Sequence, residues 1–182
     1  GEQQGNAIAD ALFGRVNPGG KLPVTVARDV GQVPVFYDAK PSARRGYLFS
    51  EVTPLYPFGY GLSYTDFTFG APTLSNATIR PGEGVTVRVP VTNSGKMAGD
   101  EVVQVYLRDE VSSVTRPIKE LAGFRRISLK PGETKQVDIA IRPDSLALWN
   151  REMKHVVEPG EFTIMVGPDS MDLQEVKLTV AE

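Results

Sequence analysis

Hydrophobic and polar residues alternate with a period of two in five short runs between residues 85 and 180. The apolar members of these runs are Val85, Val87, Val89 and Val91; Val103, Val105 and Leu107; Val137, Ile139 and Ile141; Phe162, Ile164 and Val166; and Val176, Leu178 and Val180. A period of two places alternate side chains on opposite faces of an extended chain. Each run is therefore predicted to be a half-buried antiparallel strand.

Turn signals and two further apolar stretches complete this pattern. The tripeptide Pro-Gly-Glu occurs at 81–83, 131–133 and 159–161, each time just before one of the runs. Proline presets φ for a turn and glycine supplies a positive φ. With additional strands at residues 67–74 and 121–129, about seven short strands predict a mainly β protein, an immunoglobulin- or fibronectin type III-like antiparallel β-sandwich over residues 67–182. The absence of cysteine favours the fibronectin-like version.

The N-terminal segment (residues 1–30) has a different pattern. Residues 5–14 are predicted to form a short helix, because Ile8, Ala11 and Leu12 share one face at helical spacing. Residues 21–26 are predicted to form a short edge strand. One helix and one strand cannot bury their apolar faces by themselves. We therefore expect residues 1–30 to be the C-terminal end of an α/β sandwich domain whose remainder precedes Gly1.

The linker (residues 31–66) shows no sustained period but contains five of the six tyrosines in the chain. Its most distinctive part, residues 57–65, combines two glycines with Phe58, Tyr60 and Tyr64. A flexible linker would use small polar residues instead, and large aromatic side chains favour burial. We therefore predict that the linker packs as a strap against a folded surface, with these three aromatic residues as its contacts.

Composition excludes several classes of function. The formal net charge is −2 over 182 residues, which gives no electrostatic basis for binding nucleic acid or an anionic membrane. No apolar run approaches the length of a membrane span. With no cysteine and one histidine, the chain has neither a disulfide framework nor a Cys/His zinc site. We expect no metal and no cofactor.

Four motifs in the chain resemble family-three glycoside hydrolases. Residues 5–25 resemble the closing motif of the α/β sandwich domain in that family, and residues 54–65 resemble the entry into its C-terminal fibronectin type III-like domain. Residues 116–124 and 156–162 are similar to landmarks inside that domain. The resemblance covers essentially the whole chain, in the order that the family shows. Residues 41–47 resemble a bacterial branch that includes β-glucosidases and β-xylosidases.

This resemblance implies retaining, exo-acting hydrolysis of β-linked sugars by a longer protein. The family's Asp nucleophile lies in an N-terminal barrel within a Ser-Asp-Trp type motif, and its Glu acid/base lies earlier in the α/β sandwich domain. Neither position is matched, since Trp149 follows Leu148 rather than an aspartate. We therefore assign no catalytic, substrate-binding or metal residue here. The expected partners are the upstream catalytic domains, which would bind the β-linked oligosaccharide; a homo-oligomer is possible.

Acidic residues are too numerous for any one pair to indicate a retaining mechanism, which needs two carboxyls about 5–5.5 Å apart. Glu51, Asp66, Asp109 and Glu110 are interpreted as solvated loop carboxylates, because Asp and Glu are mostly exposed. The pair at residues 100–101 precedes a predicted strand and is interpreted as part of a turn.

Two residues of the predicted sandwich, His155 and Trp149, are candidates for a catalytic or sugar-binding role because of their ring side chains. His155 has no evident base or nucleophile as partner and is interpreted as a surface residue at the end of a strand. Trp149 could be a carbohydrate platform, but tryptophan in a sandwich is more often a core or inter-sheet contact, which we predict here.

Polar and aromatic residues of the linker could also contact sugar. Arg44 and Arg45 could bond sugar hydroxyls, but we favour a loop ion pair. Tyr37 and Tyr47 could stack on a sugar at an outer subsite, but we favour burial against the catalytic domains.

Three functions remain open from the sequence. The first is the non-catalytic structural part of a β-glucosidase, which we favour, and the second is the same part of a β-xylosidase. The third is a free-standing fibronectin-like module that binds glycan or protein, which would leave the helix and strand of residues 1–30 unexplained. The compartment is not fixed, although a periplasmic or secreted location is favoured.

Overall fold

The computed structural model describes residues 1–41 and 51–182. The predicted β-sandwich is confirmed, since two sheets enclose a core of aliphatic side chains and the helices are short. The helices are α1 (Gln4–Leu12) and α2 (Pro143–Leu146), with a 3-10 helix at Val30–Gln32. The strands are β1 (Phe67–Phe69), β2 (Thr73–Leu74), β3 (Thr78–Ile79), β4 (Val85–Asn93), β5 (Gly99–Asp109), β6 (Glu120–Leu129), β7 (Thr134–Ile141), β8 (Leu148–Trp149), β9 (His155–Val156), β10 (Gly160–Gly167) and β11 (Gln174–Val180).

The first sheet is centred on β4, with β7 along one side and both β1 and β2 along the other. The second sheet has the order β3-β11-β10-β5-β6. All neighbouring strands in both sheets are antiparallel except β3, which pairs with β11 in parallel. Strands β8 and β9 form a separate small hairpin.

The core follows the predicted alternation closely. Of the apolar positions identified from the period of two, all but Val176 are buried. Burying one such side chain contributes about 1.5–3 kcal/mol. The hydrophobic pattern therefore accounts for the sandwich without any disulfide.

Two of the three Pro-Gly-Glu tripeptides form the predicted turn. Gly82 and Gly132 have φ values of +88° and +73°. The glutamate that follows closes each turn, because the Glu83 and Glu133 side chains accept bonds from the backbone N–H groups of Arg80 and Lys130, both at 2.8 Å. The Lys130 N–H is also the main reason that the pKa of Glu133 is lowered. At the third tripeptide the prediction is wrong, since its glycine already begins β10.

Two predicted strands differ in the structure. The stretch at residues 67–74 is divided into β1 and β2, because Pro72 between them has no N–H to donate to the ladder of β4. The predicted strand at residues 21–26 is absent as a strand, and forms only an isolated bridge between Val26 and Tyr56. The helix predicted at 5–14 is confirmed as α1, and Gly14 has the positive φ, +72°, expected after a helix.

Strands β5 and β10 are not half-buried, as the alternation predicts, but buried on both faces. Residues 103–107 and 162–167 are inaccessible at every position. The second face of β5 is covered because the linker lies against Gln104, whereas Thr163 on the second face of β10 bonds Glu110 and Lys177 of the sandwich itself. No helix within residues 1–41 and 51–182 has the length and apolar character needed to cross a membrane.

Candidate functional site

The N-terminal segment and the linker pair with each other through their backbones. The N–H groups of Leu22 and Val26 donate to the carbonyls of Tyr60 (2.8 Å) and Tyr56 (2.9 Å), and the Gly59 N–H donates back to Leu22 at 2.8 Å. This antiparallel contact replaces the predicted strand. The linker is thus held by the N-terminal segment on one side and by the sandwich on the other, and we call the second contact the linker–sandwich interface.

Gln104 of β5 lies at the centre of the linker–sandwich interface. Its amide nitrogen donates to the carbonyls of Gly59 (3.1 Å) and Pro168 (2.5 Å), and its amide oxygen accepts the hydroxyl of Tyr106 at 2.6 Å. The alternation assigns Gln104 and Tyr106 to the solvent face of β5. Both are buried in the structure, because the linker backbone covers that face.

The two glycines of residues 57–65 are required for the close approach that the sequence predicts. Gly59 has φ +81°, and a Cβ there would overlap the side-chain amide of Gln104. A Cβ on Gly61 would lie 2.5 Å from the carbonyl oxygen of Gly20. The backbone therefore contacts both neighbouring surfaces at distances that only glycine allows.

An aromatic cluster closes one end of the interface. Tyr37 stacks on Phe58 with ring centroids 4.3 Å apart, and contacts Tyr106 edge-on at 5.7 Å. Burial raises the pKa of the hydroxyl of Tyr37, and likewise that of Tyr106. The Phe58 carbonyl also accepts the Ser170 N–H at 3.0 Å. In the structure Tyr37 packs on the linker and sandwich of this chain, and its predicted contact with upstream domains remains a prediction.

The predicted burial of Phe58, Tyr60 and Tyr64 is partly correct. Phe58 and Tyr60 are partly buried, and Tyr60 also stacks on Tyr56 at 5.2 Å. Tyr64 is exposed, so its predicted burial is wrong within this chain. Its hydroxyl nevertheless donates to the carbonyl of Ala11 in α1 at 2.6 Å. Tyr64 therefore connects the linker to the helix by a hydrogen bond rather than by burial of its ring.

Asn17 joins three segments of the chain with one side chain. Its amide nitrogen donates to the carbonyl of Ala98 at 3.1 Å, and its oxygen accepts the Ser63 hydroxyl (3.0 Å) and the Tyr64 N–H (2.8 Å). The sequence marks Asn17 only as the start of an Asn-Pro-Gly-Gly turn. Its contacts to residues far along the chain have no sequence signal.

Lys21 and Glu101 form a buried ion pair between the N-terminal segment and β5. The Lys21 Nζ is 2.8 Å from the Glu101 carboxylate, and the two side chains are only 15% and 7% exposed. The interpretation of residues 100–101 as a turn is therefore wrong, because both lie within β5. Asp100 instead bonds Arg126 and Ser128 of β6, and the Ser128 hydroxyl is the main reason that its pKa is lowered.

We expect Tyr64→Phe to loosen α1 selectively. The substitution removes the hydroxyl bond to Ala11, which contributes about 1 kcal/mol, and a helix of nine residues is marginal without such contacts. Amide hydrogen exchange in α1 should quicken while the global unfolding transition stays in place. Tyr56→Phe is the matched control, since the Tyr56 hydroxyl has no hydrogen bond among the described residues. Unchanged exchange in α1 would contradict the role of Tyr64.

Of the four candidate carboxylates, Glu51 and Asp66 are exposed, whereas Asp109 and Glu110 are at least partly buried. Glu51 and Asp66 are exposed as predicted, with Glu51 3.1 Å from Arg28. The side chain of Asp109 is only 3% exposed and lies 3.5 Å from Arg116, so its interpretation as a solvated carboxylate is wrong. Burial raises the pKa of Asp109 despite the neighbouring guanidinium. Glu110 accepts the Thr163 hydroxyl and pairs with Lys177, which together lower its pKa.

Arg116, the partner of Asp109, also connects neighbouring parts of the sandwich. Arg116 bonds Glu120 at 2.8 Å and the carbonyl of Leu146 at 2.9 Å in addition to contacting Asp109. This arrangement ties the loop after β5 to β6 and α2. Among the described residues, no group of three or more His, Asp or Glu side chains is arranged to hold a metal ion.

His155 and Trp149 face each other across the β8–β9 hairpin. His155 is exposed at a strand end, which confirms its interpretation as a surface residue. Trp149 is 60% exposed, so the prediction of a core contact is wrong. The neighbouring Leu146 and Leu148 are buried and occupy the core in its place. The predictions for Arg44, Arg45 and Tyr47 fall outside the described residues.

Helix α1 presents an apolar surface that the rest of the described chain leaves uncovered. Leu12 and Phe13 are 73% and 82% exposed, and Ile8 and Val16 are also exposed. No residue of α1 is buried by the parts of the chain that the structure describes. The helix is held by the Tyr64 hydroxyl, and the turn that follows it by Asn17, but its apolar side chains contact no hydrophobic core.

Comparison with known proteins identifies both parts of the chain. The model of the glycosyl hydrolase family 3 C-terminal domain matches residues 1–64, and that of the fibronectin type III-like domain matches residues 101–170. The chain is 53% identical to a β-xylosidase from Formosa agariphila, over 99% of this chain and 26% of the relative. It is 47% identical to a periplasmic β-glucosidase from Salmonella typhimurium, over 96% of this chain and 24% of the relative.

A solved structure agrees with these matches. A β-glucosidase from Erythrobacter marinus superposes with a TM-score of 0.96 and 51% identity, covering 100% of this chain and 24% of that one. The chain thus spans about a quarter of the length of the relatives it matches. Because the two family models occur in succession, and relatives of about half identity align over nearly all 182 residues, the chain matches the C-terminal part of glycosyl hydrolase family 3 proteins.

Proposed function

We propose that this chain is the C-terminal, non-catalytic structural part of a retaining, exo-acting β-glycosidase that hydrolyses terminal β-linked sugars from oligosaccharides. The relatives that it matches are named β-glucosidases and β-xylosidases, and each is about four times as long as this chain. The nucleophile and the acid/base of the reaction then belong to the upstream catalytic domains, which bind the oligosaccharide.

The observation that carries this proposal is the uncovered apolar surface of α1. A short helix whose Leu12 and Phe13 face solvent gains nothing from those side chains unless another folded body covers them. The helix is nevertheless kept in place by a hydrogen bond from the Tyr64 hydroxyl, and the adjoining turn is tied to the sandwich through Asn17. A surface that is both apolar and held in position suits contact with the remainder of an α/β domain.

The proposed role is to fix the geometry of that contact. The linker–sandwich interface joins the linker to β5 through Gln104, and the Lys21–Glu101 ion pair joins the N-terminal segment to the same strand. Contacts of this kind fix the orientation of a domain, whereas a flexible connection would leave it variable. Small displacements of reacting groups reduce catalytic rates steeply, so a brace of this kind supports catalysis although it supplies no reacting group.

We also propose the division of the chain into residues 1–30, 31–66 and 67–182. Support for the last boundary comes from β1, which begins at Phe67, and from the family model that ends at residue 64. The first boundary rests on the sequence pattern. The contacts of residues 17–26 with the linker and β5 indicate that the first two parts act on the sandwich together.

β-Xylosidase activity is the second candidate for the longer protein. The relative from Formosa agariphila is named a β-xylosidase and is 53% identical to this chain. β-Glucosidase activity is favoured here because the relative from Salmonella and the superposed structure from Erythrobacter both carry that name. A periplasmic or secreted location fits the name of the Salmonella relative, a periplasmic β-glucosidase.

Expression of residues 1–182, with and without the upstream polypeptide, tests the proposal. We expect residues 1–182 to fold but to hydrolyse neither an aryl β-glucoside nor an aryl β-xyloside, because no catalytic carboxylate pair is assigned here. The longer protein should hydrolyse at least one of them and release the β-anomer first, as retention requires. The ratio of the two rates distinguishes glucosidase from xylosidase. Turnover by residues 1–182 would refute the proposal.

A further inference from the structure

The β8–β9 hairpin presents the single tryptophan of the chain to solvent in a fixed position. Trp149 of β8 is directly opposite His155 of β9 in the antiparallel register, and their rings lie 5.1 Å apart at 40°. Side chains alternate along a strand, so the buried Leu148 holds the hairpin to the core while Trp149 projects from the other face. The indole is therefore oriented outward by its own backbone.

Hydrogen bonds within the turn keep this hairpin rigid. The Asn150 side-chain oxygen accepts the N–H groups of Glu152 (3.1 Å) and Lys154 (2.9 Å). The Asn150 N–H donates to the Lys154 carbonyl at 3.0 Å, and Met153 adopts a φ of +57° in the turn. A ring held on such a turn loses little conformational freedom when a ligand stacks on it.

The hairpin is far from the surface on which α1 is held. Asn17 attaches the N-terminal segment to the carbonyl of Ala98, next to the first residue of β5. Arg116 bonds the Leu146 carbonyl and approaches Asp109, the last residue of β5. Eleven residues of extended chain separate these two ends by about 30 Å. Contact of α1 with upstream domains therefore does not by itself cover Trp149.

We propose that Trp149 is the platform of a binding site for a pyranose ring of a β-linked glycan, an inference that rests on the proposed function. The apolar C–H face of such a sugar matches a flat indole in size and polarity. The surrounding side chains of Arg151, Glu152 and Lys154 are exposed and offer donors and acceptors to the sugar hydroxyls. The site would hold substrate chains near the enzyme through the fibronectin type III-like domain.

A sugar fits this surface better than a protein partner does. A stable protein interface buries about 1,200–2,000 Å² in total and has a central cluster of apolar contacts. On the hairpin the exposed large apolar side chains are Trp149 and Met153, among charged neighbours. One stacked ring with a polar rim is the size of a sugar site rather than of a protein interface.

Titration of residues 1–182 with β-linked oligosaccharides tests this inference independently of catalysis. Because Trp149 is the only tryptophan, fluorescence excited at a wavelength that tyrosine does not absorb reports on this site alone. We expect a saturable fluorescence change with cellotetraose or xylotetraose at millimolar concentrations. The α-linked maltotetraose, whose chain is curved, should give a weaker response. No saturable change with either β-linked sugar would overturn the inference.

Variants measured by saturation-transfer NMR connect the binding to the ring. Trp149→Ala should bind about tenfold more weakly, the loss expected when one aromatic stacking partner is removed, while Trp149→Phe should retain part of the affinity. Phe124→Ala removes an exposed aromatic residue on β6 and should bind like the parent chain. Equal binding by Trp149→Ala would overturn the inference.

The remaining outcomes separate this inference from the proposed function. A fluorescence change that depends on the concentration of the chain rather than of sugar would identify a second copy as the occupant, and would also overturn the inference. Binding as expected, together with an inactive longer protein, would refute the proposed β-glycosidase and leave the sugar site standing.

Discussion

Gly59→Ala is expected to destabilise the chain by several kcal/mol. A residue with a Cβ at φ +81° carries about 1–2 kcal/mol of strain. The new methyl group also overlaps the side-chain amide of Gln104, which must leave its bonds to Gly59 and Tyr106. A buried amide without partners costs about 1–3 kcal/mol more. Denaturant unfolding of residues 1–182 measures the sum.

Gly82→Ala is the matched control for this prediction. Gly82 has a φ of +88°, but a Cβ there meets no atom within 4 Å. The control therefore carries the backbone strain without the overlap, and the difference between the two variants isolates the contact with Gln104. Equal losses in the two variants would show that Gln104 moves aside at no cost, and that the linker–sandwich interface is not tightly packed.

Lys21→Met is expected to destabilise the chain by an amount similar to that of Gly59→Ala. The substitution keeps the length of the side chain but leaves the Glu101 carboxylate buried without its cation. Removing one partner of a buried ion pair costs about 3–5 kcal/mol. The loss should be visible as a lower midpoint of denaturant unfolding, together with faster hydrogen exchange in residues 55–60, which pair with the segment that follows Lys21.

The double variant Lys21→Met, Glu101→Leu tests the cause of that loss. Replacing both partners with apolar side chains removes the uncompensated charge, so much of the stability should return. Arg88→Met is the exposed comparison, because Arg88 pairs with Asp138 on the sheet surface and its loss should change stability little. If the double variant were as unstable as Lys21→Met, packing rather than charge would explain the effect.

Together these variants test whether the linker and the sandwich unfold as one unit. Gly59 and Lys21 lie outside the sandwich strands, yet their contacts reach Gln104 and Glu101 within β5. Destabilisation of the whole transition would mean that the fold includes the linker. A separate early transition would mean that the linker detaches while the sandwich remains folded.

The sequence predicts most of the sandwich because one physical signal dominates it. Alternation marks the face that points into the core, and the valines of β4 and β7 are buried as that pattern requires. The Pro-Gly-Glu turns at Gly82 and Gly132 are local, although the same tripeptide at residues 159–161 forms no such turn because its glycine begins β10. The sequence also predicts that residues 1–30 pack against a partner, since the apolar face of the predicted helix is unmatched.

Contacts between segments far apart in the chain cannot be predicted from the same sequence pattern. Period-two alternation describes the side chains of one strand, and cannot indicate whether another part of the chain covers the outer face. Gln104 reaches a carbonyl 45 residues away, and Lys21 and Glu101 carry no signal that they meet. For Trp149 the error is the opposite one, because a side chain predicted to be buried is exposed. Leu146 and Leu148 are buried instead.

The sequence by itself therefore determined a β-sandwich, an aromatic linker and a family, because short-range periodicity and contiguous motifs encode them. Only the tertiary structure decided that the linker buries the second face of β5 around the Gln104 amide, that an ion pair joins the N-terminal segment to the same strand, and that Trp149 faces solvent. These depend on which surfaces meet after folding, where burial and hydrogen bonding between segments far apart in sequence outweigh local preference.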